Sequence, residues 1–307
     1  MMALALRRLL TAVPTLLLLV TLCFFLMRLA PGGPFDGERS LPPAIETALA
    51  AEYHLDEPLP RQYLRYLGGL LRGDLGPSFQ YQEFRVRQLL ADGLPVSLSL
   101  GLWAMVLALL LGGGIGIVAA LRPGRALDHG LMSLSLLGIS VPSYVVGPLL
   151  VLLFAVGLRW LPAGGWQPGR YSDMLLPVLA LALPQIAAIA RLLRGSLIDT
   201  LRQPYIRTAR AKGLPETVVV LRHALRPALL PVLSYLGPAT AGLITGSVVV
   251  EQVFSLPGIG RYFVQGALNR DYTLVLGVVA FYGAMIVLLN FLVDLLYGLL
   301  DPRLRQR

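Results

Sequence analysis

The chain has 307 residues, of which 56% are hydrophobic and only 14% charged, with a mean hydropathy of +0.70 and a formal net charge of +9. Soluble domains are roughly one-quarter charged, so this balance argues against a soluble enzyme and for a polytopic membrane protein. The basic excess is spread over the segments between apolar runs rather than gathered with aromatics on one soluble face, which argues against nucleic acid as a partner.

Six stretches carry no charge at all: 9–27, 93–121, 131–158, 174–190, 227–250 and 272–293. Each approaches or exceeds the roughly 17 to 25 apolar residues that a helix needs to cross a bilayer. Their continuous apolarity, without alternation, predicts helices rather than barrel strands. The first stretch follows Arg7 and Arg8, and Ala30 offers a signal-type cleavage point. Its uncharged core is longer than the roughly 7 to 15 residues of a secretory signal, so it reads as an uncleaved anchor over 1–30. It contains Cys23, the only cysteine, which supplies neither an intrachain disulfide nor a thiolate metal cluster.

Between the first two spans, residues 31–92 are dotted with charges such as Asp36, Glu38, Arg39, Glu46 and Asp56, too long a stretch to lack structure of its own. Pro43 opens a run with Ile45, Leu49 and Tyr53 at helical spacing. Pro60 opens another with Tyr63, Tyr66, Leu67 and Leu70, and both fit amphipathic helices with proline in the first turn. Gly73, Gly76 and Pro77 then end the pattern. Packing on the bundle and contact with an extracytoplasmic partner are both open for this segment.

The core, 93–307, is rich in small residues and breakers. Gly112, Gly113, Gly114 and Gly116 in the second span, and Gly237, Gly242 and Gly246 in the fifth, allow close helix approach. Pro142, Pro148, Pro177, Pro184, Pro231 and Pro238 predict kinks. No span carries a charge near its middle, unlike ion-coupled transporters with intramembrane carboxylates; Glu251 and Asp294 lie only near span ends. His54, His129 and His223 all fall in predicted loops, so no catalytic residues and no metal site are assigned. No Gly-Lys-Ser/Thr phosphate-binding run exists, because the only lysine, Lys212, follows alanine.

With the N-terminus inside, cytoplasmic segments hold fifteen of the 26 basic residues, Arg303, Arg305 and Arg307 among them, against five acids, which by the positive-inside rule also places the C-terminus in the cytoplasm. The densest basic segment is the loop 194–226. It reads as two short helices separated by Gly213-Leu214-Pro215, with Ile206, Ala209 and the stem of Arg210 on one face and Val218, Val219 and Leu221 supplying apolar surface beyond. Taken by itself, such a loop fits either a partner-docking element or an anchor for anionic lipid.

The run Arg207-Thr-Ala-Arg-Ala-Lys-Gly-Leu214, followed by Leu221-Arg-His-Ala-Leu-Arg-Pro227, resembles the cytoplasmic EAA loop of ABC-importer permeases. The resemblance is to the B-type membrane subunits of the oligopeptide/dipeptide branch. It continues through Arg28-Leu-Ala-Pro-Gly-Gly-Pro-Phe35, Gly37-Glu-Arg-Ser-Leu-Pro-Pro43, Gly73-Asp-Leu-Gly-Pro-Ser-Phe79, Leu256-Pro-Gly-Ile-Gly260, Ala267-Leu-Asn-Arg-Asp-Tyr272 and Asp301-Pro-Arg303. The general importer pattern begins Glu-Ala-Ala where this chain has Arg207, Thr208 and Ala209, and Pro227 falls one residue later than that pattern. The salt bridge of a glutamate is therefore not carried over to Arg207.

The resemblance implies an all-α, six-span type I importer permease in the bacterial inner membrane, passing peptides. ATP and Mg would be held by two partner ATP-binding subunits, beside a homologous second permease and an extracytoplasmic solute-binding protein. It implies ATPase coupling through Tyr205, Arg207, Thr208, Ala209, Arg210, Ala211, Lys212, Gly213 and Leu214. Uncharged hydrogen-bonding groups of the third and fifth spans, Ser140, Ser143, Ser234, Thr240, Thr245 and Ser247, are candidates for the path; satisfying helix carbonyls explains them equally well. The segment 254–272, with Pro257, Gly258, Gly260, Asn269, Arg270 and Asp271, reads as a compact outer loop that gates the path or meets the binding protein. Two other readings stay open: the same fold passing nickel or another small solute, and a membrane scaffold or receptor whose basic loop binds lipid.

Overall fold

The computed structural model describes residues 2–29, 33, 43–81 and 83–300; the side chains of 2–9, 43–46, 49 and 294–300 are outside that description. The expectations for Arg7, Arg8, Ala30, Ile45, Leu49, Asp294, the segments 34–42 and 301–307 and the terminal arginines therefore lie outside the described residues. Among the described residues there is no strand, only an isolated bridge between Pro77 and Arg85.

The long helices follow the apolar runs: α1 (Met2–Leu29), α4 (Val86–Leu121), α7 (Ser172–Leu201), α11 (Leu230–Gly246) leading into α12 (Val248–Val253), and α14 (Tyr272–Leu300). Five segments are long and apolar enough to span a bilayer, and a sixth arises if one bent pair is counted as a span. That pair covers the run 131–158, where a kink is expected at Pro142. It consists of α5 (Ala126–Ser140) and α6 (Ser143–Leu150), the latter continuing as a π-helical turn Val151–Gly157, with a bend of 100° between them. Pro142 causes the break. The ring of a proline clashes with a helical residue before it, and Val141 is accordingly extended at φ −99°, ψ 118°.

The amphipathic pair is found as α2 (Pro43–Glu52) and α3 (Leu59–Leu71), with Pro60 in the first turn of α3. Three short helices, α8 (Pro204–Ala211), α9 (Glu216–Val218) and α10 (Leu225–Ala228), form the basic loop, with a π-helical turn Val219–Ala224 between the last two. Residues 254–272 are less a loop than a helix, α13 (Ile259–Leu268). Ile259, Tyr262, Phe263 and Gly266 recur at helical spacing behind the Pro257-Gly258 breaker.

Contacts divide the chain into two compact units, one of Leu98–Leu256 with residues from Leu288 onward, the other of Ala3–Ser97 with Pro257–Val287. In the first, α7 is the common support: α5, α6, α10, α11 and α12 all pack on it. Its inward face (Leu176, Ala180, Ile189, Leu193, Leu197) is fully buried. In the second, Val86, Leu89 and Leu90 pack with Ile259, Leu274 and Val278. Asp271 caps α14 there, accepting from the Leu274 N–H at 3.0 Å and from Ser78 Oγ and the Gln80 N–H.

Candidate coupling elbow, candidate path and family

The basic loop is an elbow built locally. Gln203 is extended and Pro204 opens α8, where a missing N–H costs nothing. α8 ends at Lys212, and Gly213 follows at φ +76°, a left-handed conformation that only glycine adopts without strain. Pro215 then starts α9. The two arms are clamped across the glycine by Arg210, whose Nη2 donates to Glu216 Oε1 at 2.6 Å and whose Nε donates to Oε2 at 3.0 Å. Hydrogen bonding to that guanidinium holds the Glu216 carboxyl below the usual carboxylate range.

Ile206 and Ala209 are buried, with α8 packed on the π-helical turn. Of the coupling residues, Ala209 thus faces inward, whereas Tyr205, Arg207, Thr208, Arg210, Ala211, Lys212, Gly213 and Leu214 face out. Of the apolar residues beyond Pro215, Leu221 is exposed, while Val219 and Val220 are buried. The loop also begins later than 194, since α7 continues to Leu201. Arg194 belongs to that helix and donates to buried Asp128 from Nε at 2.5 Å and Nη2 at 2.6 Å, tying α7 to α5. Sequence reading missed Asp128 and Glu216 as partners. Glu216 was within reach, being the nearest acid across the Gly-Leu-Pro break; the Asp128 pairing spans 66 positions and had no local signal.

The hydroxyls proposed for the path are largely committed to their own helices. Ser140 donates to the Leu136 carbonyl, Ser234 to Leu230 and Thr245 to Ala241, all four residues back. These are not the carbonyls that the prolines leave without a donor. Ser143 and Thr240 are half-buried. Ser247 is fully buried, donating to the Ile244 carbonyl and Glu251 Oε1. α5, α6 and α11 share α7 as packing partner, so the hydroxyl-bearing helices have common support.

On the segment proposed for outer contacts, only Asn269 is exposed. Pro257 and Arg270 are half-buried, and Gly258, Gly260 and Asp271 are buried. The Ile259 N–H at the start of α13 donates to Ser97 Oγ at 2.9 Å. Among the described residues no group of three or more His, Cys, Asp or Glu is placed to hold a metal ion.

Comparison with known proteins places this architecture. Residues 112–306 match the family described as "binding-protein-dependent transport system inner membrane component", and residues 1–101 match its N-terminal companion family. The chain is 53% identical over 305 residues to the oligopeptide transport system permease protein OppB of Escherichia coli K12, covering 99% of this chain and 100% of that one. It is 45% identical to the dipeptide transport system permease protein DppB of Bacillus subtilis, covering 95% and 94%. Among solved structures, an inward-facing MetNI methionine ABC transporter shares the fold at a TM-score of 0.57 and 18% identity, over 70% of this chain and 97% of that one. The chain therefore belongs to the family of binding-protein-dependent transport system inner membrane components, and is a multi-pass protein of the inner membrane.

Proposed function

We propose that this chain is the B-type permease subunit of an ATP-driven peptide importer, with oligopeptides as its cargo. The observation that carries the reading is the 53% identity to an oligopeptide permease along 99% of the chain. Both termini lie in the cytoplasm in this reading, which the distribution of basic residues supports. A homologous second permease completes the path, a soluble binding protein delivers peptide from outside, and two ATP-binding subunits hold ATP and Mg. This chain binds no nucleotide itself.

In this reading the α8–Gly213–α9 elbow seats on an ATP-binding subunit. Its exposed face offers Tyr205, Arg207, Lys212 and Leu214, a mixture of apolar and cationic groups suited to a groove with acidic walls, while buried Ile206 and Ala209 fasten it to the bundle. Arg210 is not a contact of first resort: its guanidinium is engaged by Glu216, so it keeps the elbow closed. Nucleotide binding shifts the permease between inward-open and outward-open states only if the elbow's contacts differ between them. A rigid elbow, continuous through the π-helical turn and α10 with the support helix α7, transmits that difference to the spans.

The test is peptide-stimulated ATP turnover by the reconstituted five-protein system. Gly213→Val forces a β-branched side chain into φ +76° and is expected to abolish stimulation while leaving membrane insertion intact. Lys212→Glu reverses an exposed charge without touching the clamp and is expected to lower it severalfold. Full stimulation in both variants overturns the coupling role. Stimulation by nickel or another small solute instead of peptide overturns the cargo, and an elbow that crosslinks to lipid but to no ATP-binding subunit overturns the permease reading.

A further inference from the structure

Three of the segments that carry the family resemblance, each far from the others in sequence, meet at one cavity within the unit Ala3–Ser97/Pro257–Val287. Arg28 comes from the end of α1, Asp74 and Phe79 from the turn after α3, and Tyr272 from the start of α14. The cavity measures about 380 Å³ and is lined further by Phe24 and Tyr66. That volume lies within the range of small-ligand sites. Neither the elbow nor the hydroxyl-bearing spans account for it.

Its chemistry is amphoteric. The Arg28 guanidinium lies between two rings, 4.4 Å from the centroid of Phe24 and 5.0 Å from that of Tyr272. Its Nε donates to Gln62 Oε1 at 2.9 Å, and Gln62 is held in turn by the Leu55 and Glu57 carbonyls. Its Nη1 is buried with no acceptor, and so is the Tyr66 hydroxyl. The other formal charges around the cavity are matched: Arg65 with Glu57, and Asp74 with Arg85. Two groups have no ion-pair partner among the described residues, the cation Arg28 and, on the exposed end of α2, the anion Glu52. A planar guanidinium whose Nη1 is unpaired, in a cavity that a phenol donor also lines, matches a carboxylate, and Glu52 matches an ammonium.

From this arrangement we propose that the cavity is a recognition site for a short zwitterionic peptide, its C-terminal carboxylate on Arg28 and Tyr66 and its N-terminal ammonium toward Glu52. The site rests on the peptide cargo proposed above, and lies on a different part of the chain from the path hydroxyls. It serves as a second checkpoint for the cargo, on the permease rather than on the binding protein.

The experiment is equilibrium binding of radiolabelled trialanine to the permease–ATPase complex, without binding protein, in phosphatidylcholine nanodiscs. Free trialanine is expected to bind, and its C-terminal amide at least about tenfold more weakly, the loss of one charge-assisted bond. Arg28→Gln is expected to weaken free trialanine and to erase the penalty of amidation. Glu52→Gln, at an exposed position that folding does not depend on, is expected to weaken free trialanine severalfold and to leave N-acetyl-trialanine unchanged. Equal binding of acid and amide, parent-like binding in both variants, or no binding at millimolar peptide overturns the site. So does loss of a co-purifying phospholipid from Arg28→Gln without peptide binding in the parent, which would make the anion a lipid phosphate. Uptake of trialanine by the complete system, measured alongside, separates the outcomes: uptake without this binding sinks the site alone, and no uptake sinks the cargo.

Discussion

The two units hold together by different means. In the unit of Leu98–Leu256, helices meet backbone to backbone: a Cβ on Gly112 would lie 2.6 Å from the Ile186 carbonyl oxygen, and one on Gly116 2.7 Å from that of Ala190. In the unit of Ala3–Ser97 with Pro257–Val287, polar side chains bond across 162 to 193 positions. Ser78 and the Gln80 N–H bind Asp271, Tyr81 donates to Gln265, and Ser97 accepts from Ile259. The difference follows the solvent. Between helices in lipid there is no hydrophobic drive, so stability comes from depth of contact. Where water competes for polar groups, apolar contact needs help, and the segment 74–81, which lies outside the apolar runs, adds buried, charge-assisted bonds to the contacts of Leu75, Phe79 and Tyr81.

The comparison breaks or sharpens by substitution. The largest effect is expected at the exception in the first unit, the buried Asp128–Arg194 pair. Asp128→Ala leaves a guanidinium unpaired at a mostly buried site and is expected to cost about 3 to 5 kcal/mol, read as the thermal midpoint in detergent. A double-mutant cycle with Arg194→Met is expected to recover much of that loss. Next comes Asp271→Ala, which removes the cap of α14 and the anchor of Ser78 and Gln80 at a cost of about 3 kcal/mol; a loss under about 1 kcal/mol would show that the apolar cluster around Val86 and Leu274 suffices.

Gly112→Ala is expected to cost about 1 to 3 kcal/mol, since its methyl must push α7 away. Gly113→Ala, which meets nothing within 4 Å, is expected to be neutral or to stabilise by up to about 1 kcal/mol through helix propensity. If the neighbours behave alike, depth of contact is not what holds these helices. The smallest effect is Glu216→Gln, at most about 1 kcal/mol for so exposed a pair. Because the carboxyl is held below its usual range, the clamp's contribution is present above the ordinary glutamate range and lost as pH falls through the lowered value. Amide exchange across 211–216, corrected for intrinsic rate, should rise on acidification in the parent and be pH-independent in Glu216→Gln.

Much of the fold was legible because spans, breakers and charge asymmetry are properties of neighbouring residues. The positions of α1, α4, α7 and α14, proline at the head of α2 and α3, and the glycine pivot of the elbow all follow from local pattern. The path residues were less legible: a hydroxyl in an apolar helix looks the same whether it faces a pore or its own carbonyl four residues back, and Ser140, Ser234 and Thr245 bond backward. The outer segment 254–272 was misread as loop because its Pro-Gly punctuation is strong while the helix it precedes is only ten residues long.

By itself, then, the amino-acid order determined that this is a many-span helical membrane protein with a basic elbow between two spans, since bilayer thickness and backbone sterics act over a few residues at a time. Only the tertiary structure decided that the chain turns by as much as 100° at Pro142, that Ser247 and Asp271 turn inward, and that Arg28, Tyr66 and Glu52 line one cavity. Those outcomes depend on which distant segment supplies a partner, and burial makes that choice through packing that no local window contains.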